Sequence, residues 1–304
     1  MKVTVLINCY NGERYLKEAI DSVFAQTYSN WEIVFYDNNS NDKSAEIAKS
    51  YGDKVIYIKG EETVPLYHAR NIAFPHCKGD VIGFLDVDDL WLPEKLEKQV
   101  PLFSNPSIGL VFSDTIFFND QKDLKRFYSD RPYFTGECFK ELLGSYFLSL
   151  ETVLVRRSAL EGQPYVFDER FNMIGDADLF RRLSFAWKLD MVNEPLAKWR
   201  VHENSLSWKE PQKFSEETKL MLESYRELFP SFEETYKDEV EVLRREIAIG
   251  EAKLMLSEGR SSEARKVLQP FKGSKKIDIL YYLSYFPNII FNSLYKIYTS
   301  HLGV

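Results

Sequence analysis

The sequence predicts an α/β fold, a mostly parallel sheet flanked by helices, with an α-helical C-terminal extension. Three observations lead there. Short apolar runs rich in β-branched residues alternate with amphipathic helical stretches from Val3 to Leu92. Each run ends in a polar turn, at Asn8–Gly12, Asp37–Asp42 and Asp86–Asp89. Beyond about Gln212 the pattern gives way to charged amphipathic helices, which divides the chain into 1–211 and 212–304.

Val3–Ile7 is the first strand, and the turn after it leads into a helix whose Leu16, Ile20, Val23 and Phe24 share one stripe, with Glu13 early in it. Glu32–Tyr36 is the second strand, and the cap and turn formers from Asp37 to Asp42 open a helix around Ala45–Ser50. Val55–Ile58 is the third. A loop at Gly60–Pro65 and a helix carrying His68 to Ala73 return the chain to a fourth, Val81–Leu85. That run is apolar apart from Gly83, as suits a strand covered on both faces. Right-handed crossovers bring the strand ends to one edge, so Asn8, Tyr10, Asp37 and the Asp86 cluster share a crevice. Ile108–Phe112 and Thr152–Val155 are further strands, and a helix packs Leu179, Leu183 and Ala186 inward.

With 304 residues, 44% of them apolar and 15% aromatic, the chain can bury a large core. Its net charge is −7 and all of the acidic excess lies in 1–211, which argues against a nucleic-acid partner. Three distant cysteines, Cys9, Cys77 and Cys138, suit a reducing, cytoplasmic compartment. No signal peptide is read at the start, and no apolar run reaches the ~18 residues of a spanning helix.

The chemistry centres on GDVIGFLDVDDLWLP, Gly79–Pro93. Asp86 and Asp88 are two apart and point to one side of an extended backbone, and Asp89 adds a third negative charge. Such a cluster fits a hard divalent cation that completes its shell with water and phosphate. It also fits an Asp-rich turn that caps a helix near Pro93.

The opening VTVLINCYNGERYLKEAIDSVFAQTYSNWEIVFYDNNSNDKS, the HARNIAF segment and GDVIGFLDVDDLWLPEKL together resemble the family-2 glycosyltransferases with the Rossmann-like GT-A fold. The resemblance covers residues 1–210. It implies an enzyme that moves a sugar, with inversion, from a nucleotide-diphosphate sugar to an acceptor hydroxyl, with Mn²⁺ or Mg²⁺ at the diphosphate. It places Asn8 in the nucleotide-sugar site, Tyr10 near the base, Asp37 and Asn38 at base and ribose, Arg70 at base or diphosphate, Asp86 at ribose or sugar, and Asp88 on the metal with Asp89 behind it. These roles suit the side chains: an aromatic face for a base, a guanidinium for phosphate, a carboxylate for a hard cation. The family often has Asp at the place of Asn38; an amide both accepts and donates, which leaves UDP favoured only slightly over GDP or dTDP. Asp37 and Asn38 also read as a plain Asx-turn.

In FNMIGDADLFRRL, Phe171–Leu183, the family places its catalytic carboxylate at a helix start, which makes Asp176 the general base. The usual preceding acid is Gly175 here, and Asp176 also reads as a helix cap. WRVHENSLS, Trp199–Ser207, matches an element whose histidine approaches the metal, giving His202 as second ligand. Aromatics between 115 and 150 read as core or as an acceptor surface for a glycan or lipid-linked acceptor. The tail 277–304 has only Asp278 and Lys296 among Asp, Glu, Lys and Arg, holds many aromatics, and follows Lys272, Lys275 and Lys276. It suits peripheral contact with the inner face of the membrane, docking on the catalytic domain, or a homodimer contact. Two other functions remain open at this stage: a scaffold on a degenerate transferase fold, supported by Gly175 and Asn38, and a sugar nucleotidyltransferase. The second should carry a Gly-rich basic loop where this chain has NCYNGER.

Overall fold

The computed structural model describes residues 1–202 and 210–286. Contacts divide the chain into two compact units, 1–201 and 202–304.

The first unit is built on a sheet whose strands are β1 (Val3–Cys9), β2 (Trp31–Asp37), β3 (Val55–Lys59), β4 (Val81–Phe84), β5 (Leu90–Trp91), β6 (Ile108–Phe118), β7 (Asp123–Arg126), β8 (Leu154–Arg156) and β9 (Lys188–Arg200). Their order is β3-β2-β1-β4-β8-β6-β9-β5, with β7 hydrogen-bonded to β6. β3, β2, β1 and β4 are parallel. β8 runs against both β4 and β6, and β9 runs parallel to β6. The expected α/β, GT-A-like architecture is therefore present, as is the helical region after it.

The parallel strands are β-branched and apolar because both faces are covered. Val3, Val5, Ile7, Ile33 and Val81 are fully buried. Helix α1 (Leu16–Phe24) sets Leu16, Ala19, Ile20 and Val23 into that core. It starts at Leu16 rather than around Glu13, because Glu13 is used elsewhere: its backbone N–H donates to Asp42 and its carboxylate accepts from the N–H of Lys43. Helices α2 (Ser44–Lys49) and α3 (Leu66–Ala73) complete the crossovers. The helix near Pro93 is the short α4 (Lys95–Gln99). Further on come α5 (Phe139–Gly144), α6 (Arg157–Glu161) and α7 (Gly175–Ala186).

The sequence reading missed β9. Its run KLDMVNEPLAKWR is half polar and holds Pro195, which masks strand character. The pairing with β6 shifts register between Ser113 and Thr115, where Asp114 stands opposite Pro195, so the proline sits at an irregularity of the ladder.

The aromatics between 115 and 150 are mostly packing. Phe118, Phe127 and Phe139 are buried, Phe117 meets Trp199 edge-on at 4.9 Å, and only Tyr133 and Phe134 are substantially exposed.

The second unit is helical over Gln212–Leu228, Phe232–Thr235, Lys237–Ser257, Ser261–Leu268 and Lys275–Leu283. Tyr225, Phe229 and Phe232 pack together where the first of these ends. Among the described residues no helix is long and apolar enough to cross a membrane. Residues 287–304 of the proposed tail and 203–207 of the Trp199–Ser207 motif lie outside the described residues.

Candidate active site

Loops at the carboxyl ends of β1, β2 and β4 form the rim. The first two are laced together. Asn11, at φ 52°, donates its N–H to Ser40 Oγ and accepts from the N–H of Asn41. Gly12 donates to Ser44 Oγ. This lacing accounts for part of the polar run from Asp37 to Asp42: the Ser40 hydroxyl and the Asp42 carboxylate terminate backbone groups of the facing loop.

Within that frame Tyr10 is exposed, 54% of it open to solvent, as a stacking face for a base would be. Asp37 is buried, and its carboxylate accepts from Ser40 N–H at 2.8 Å and from Tyr57 Oη at 2.6 Å. Asn38 is buried too, and its amide holds both backbone groups of one residue: Nδ2 donates to Val64 O and Oδ1 accepts from Val64 N–H. The Asp37 carboxylate thus serves its own turn, through the N–H of Ser40, and the amide at 38 anchors the 60–65 loop. Asn8 Oδ1 is buried with no hydrogen-bond partner. An orphan acceptor at a strand end suits a ligand donor.

The acidic turn after β4 is held by two arginines. Arg70, buried on α3, donates to Asp86 Oδ1 at 2.5 Å. Burial lifts Asp86 above the usual carboxylate range, although Arg70 opposes it. Arg200, buried at the end of β9, reaches the other side of the turn. Its backbone N–H donates to Asp89 Oδ1 and its Nε to the carbonyl of Asp88, both at 2.9 Å. Its remaining nitrogens bind Asp120 and Glu18, and its guanidinium lies 4.2 Å from the Tyr15 ring centre and 4.5 Å from that of Phe118. Asp89 is pushed well above the carboxylate range, first by burial and then by Asp88, Glu151 and Asp86. The three carboxylates of the cluster are therefore graded: Asp86 is paired, Asp89 is driven toward its neutral form, and Asp88 lies between them, half-buried.

Among the described residues no group of three or more His, Cys, Asp or Glu is gathered to enclose an ion. A site with one carboxylate, completed by the diphosphate and water, still fits the donor chemistry of a hard divalent cation.

Asp176 stands in the first turn of α7. Tyr67 Oη donates to its Oδ1 at 3.0 Å, and Tyr146 Oη lies 3.5 Å from Oδ2. The Tyr67 ring stacks on Phe167, and the Arg70 guanidinium is 5.3 Å from the Tyr67 ring centre. A continuous series of contacts therefore joins Asp86, Arg70, Tyr67 and Asp176. His202 is half-buried just past the end of β9.

Sequence reasoning passed over Arg200, Tyr67, Tyr146 and Glu151. Two had a signal. Arg200 lies inside WRVHENSLS, and Tyr67 is one helical turn before Arg70, so the two share a face of α3.

Residues 4–162 match glycosyl transferase family 2. An uncharacterized glycosyltransferase of Methanocaldococcus jannaschii is 32% identical over 220 residues, 69% of this chain and 75% of its own length. The UDP-Glc:alpha-D-GlcNAc-diphosphoundecaprenol beta-1,3-glucosyltransferase WfgD of Escherichia coli is 27% identical over 56% of this chain, a match that spans 66% of WfgD. Among solved structures, residues 1–349 of S. aureus TarS in complex with UDP superpose with a TM-score of 0.65 at 19% identity, covering 92% of this chain and 83% of that one. The mannosyltransferase PcManGT of Pyrobaculum calidifontis, in complex with GDP-Man and Mn²⁺, gives 0.63 at 17% identity over 92% and 78%.

Proposed function

The chain belongs to glycosyl transferase family 2, and on that premise we propose that it moves a sugar from a nucleotide-diphosphate sugar to an acceptor hydroxyl with inversion, UDP being the favoured nucleotide. One observation carries the reading: residues far apart in sequence, Asp86 and Asp176, are joined through Arg70 and Tyr67. In this reading Tyr10 stacks on the base, Asp37 meets its edge, and Asp86 with its guanidinium partner faces the ribose or sugar. Asn8 offers its orphan oxygen to a donor hydroxyl. Asp88 would hold Mn²⁺ or Mg²⁺. Such an ion would neutralise charge that builds on the departing diphosphate. Asp176 takes the proton of the acceptor hydroxyl as the bond to the anomeric carbon forms.

The Escherichia coli relative acts on a diphosphoundecaprenol-linked sugar, which supports a lipid-linked glycan as acceptor and a role in polysaccharide assembly. The helical extension then serves assembly or peripheral contact with the inner face of the membrane through 277–304. The scaffold alternative loses ground, since Gly175 has a structural reason of its own: a Cβ there would lie 2.5 Å from the Tyr67 ring.

Titration with UDP, GDP and dTDP, each with and without Mn²⁺, tests the donor site. Binding should strengthen with Mn²⁺, be tightest for UDP, and lose its metal dependence in Asp88→Ala. Nucleotide binding that is indifferent to both metal and Asp88 would overturn the metal assignment.

A further inference from the structure

The family pattern expects an acid before the base, and this chain has glycine. The space explains the exchange. A Cβ on Gly175 would sit 2.5, 2.6 and 2.7 Å from three atoms of the Tyr67 ring, closer than real Cβ contacts come. That ring is wedged: it is buried and stacks on Phe167 with centroids 5.2 Å apart, while Arg70 lies over it. It cannot swing away to admit a larger residue, so Tyr67 in this position and a side chain at 175 exclude each other. What the ring delivers is a hydroxyl on Asp176 Oδ1 at 3.0 Å, with the Tyr146 hydroxyl on the opposite oxygen at 3.5 Å.

We propose that Tyr67, assisted by Tyr146, is the positioning residue of the base, orienting the Asp176 carboxylate through a tyrosine hydroxyl delivered across Gly175. The inference rests on Asp176 being the base. Burial, and after it the charge of Asp176, raises both hydroxyls above the ordinary tyrosine range, so both remain neutral donors at working pH. A donor on a carboxylate favours its charged form and fixes which lone pair is left for the substrate proton. The other charged and titratable groups facing this cluster are Arg70 and Asp86, which pair with each other, Arg181 over the Tyr146 ring, and Tyr128.

The test is Tyr67→Phe, which keeps the ring that fills the space beside Gly175 and removes only the hydroxyl. We expect kcat to fall at least tenfold while KM for the donor and Mn²⁺-dependent nucleotide binding stay within twofold. Tyr146→Phe should lower kcat in the same way and less. Wild-type kcat in Tyr67→Phe, or a loss that falls on KM and nucleotide binding as much as on kcat, would overturn the assignment and leave Tyr67 as packing. Asp176→Asn separates the two readings. Wild-type turnover in that variant removes the base and this inference with it, whereas an inactive Asp176→Asn beside an unaffected Tyr67→Phe removes this inference alone.

Discussion

Arg200→Lys is the change that best isolates how the acidic turn is held. The guanidinium makes contacts that no ammonium can make together: Nε on the Asp88 carbonyl at 2.9 Å, separate nitrogens on Asp120 and Glu18, and two aromatic faces within 4.5 Å. A lysine keeps the charge and one of the two exposed carboxylate partners. It gives up the bond to Asp88, where a charged donor in a part-buried setting contributes about 1.5–3 kcal/mol. The aromatic contacts add roughly 0.5–1 kcal/mol each, and since these effects overlap, we expect a loss of about 2–3 kcal/mol in unfolding free energy. The backbone bond from Arg200 N–H to Asp89 survives any substitution, so the turn should loosen on its Asp88 side only. If half of the Asp88 bond's contribution is needed to fix the ion site, Mn²⁺-dependent nucleotide affinity falls by about three- to twelvefold, equivalent to ~0.75–1.5 kcal/mol. Urea denaturation gives the first quantity and calorimetric titration with UDP and Mn²⁺ the second. Lower stability with unchanged metal-dependent affinity would refute the reasoning, because it would mean that the Asp89 bond alone sets the turn.

Two further changes probe the scaffold. Gly175→Ala should gain up to ~1 kcal/mol of helix propensity but overpack the Tyr67 ring at a cost of about 1–3 kcal/mol, so a net loss in urea denaturation together with lower kcat is expected. Lys95 is fully buried under the sheet, donating to Gln99 Oε1 and Thr152 O, and burial drives its pKa well below the usual lysine value against the pull of Glu151. Between that lowered value and the ordinary ~10.4 the unfolded chain binds more protons than the folded one, so this lysine makes stability rise with pH through that window. In Lys95→Met the upward slope should disappear from thermal unfolding measured between pH 7 and 9.5; an unchanged slope would show that Lys95 stays charged when folded.

The left half of the sheet was legible because its physics is local. Strands covered on both faces must be apolar, the turns that end them must be polar, and β1 to β4 follow from that alternation alone. β9 was illegible for the converse reason. Its pairing with β6 is broken around Asp114 and Pro195, and such a strand draws its definition from a partner some eighty positions earlier in the chain, not from its own pattern. The site divides in the same way. Asp86, Asp88 and Asp176 announce themselves as carboxylates at element ends, whereas the groups that tune them come from α3 and from β9, and only the folded chain puts them there. The reading of Asp37 and Asn38 as ligand groups also met competition that no sequence displays: Tyr57 and the Val64 peptide already occupy them.

The two arginines also explain how three neighbouring carboxylates coexist in a folded chain before any ion arrives. Left alone, Asp86, Asp88 and Asp89 would repel one another in a setting of reduced dielectric. Arg70 neutralises Asp86 from the side of α3, and burial presses Asp89 toward its protonated form while Arg200 N–H satisfies its oxygen. The turn thereby escapes most of the repulsion that three free carboxylates would feel, with Asp88 between a paired Asp86 and a buried Asp89. Arg70 and Arg200 are thus what lets the acidic turn fold, and either can be removed to ask whether nucleotide binding still depends on a divalent metal.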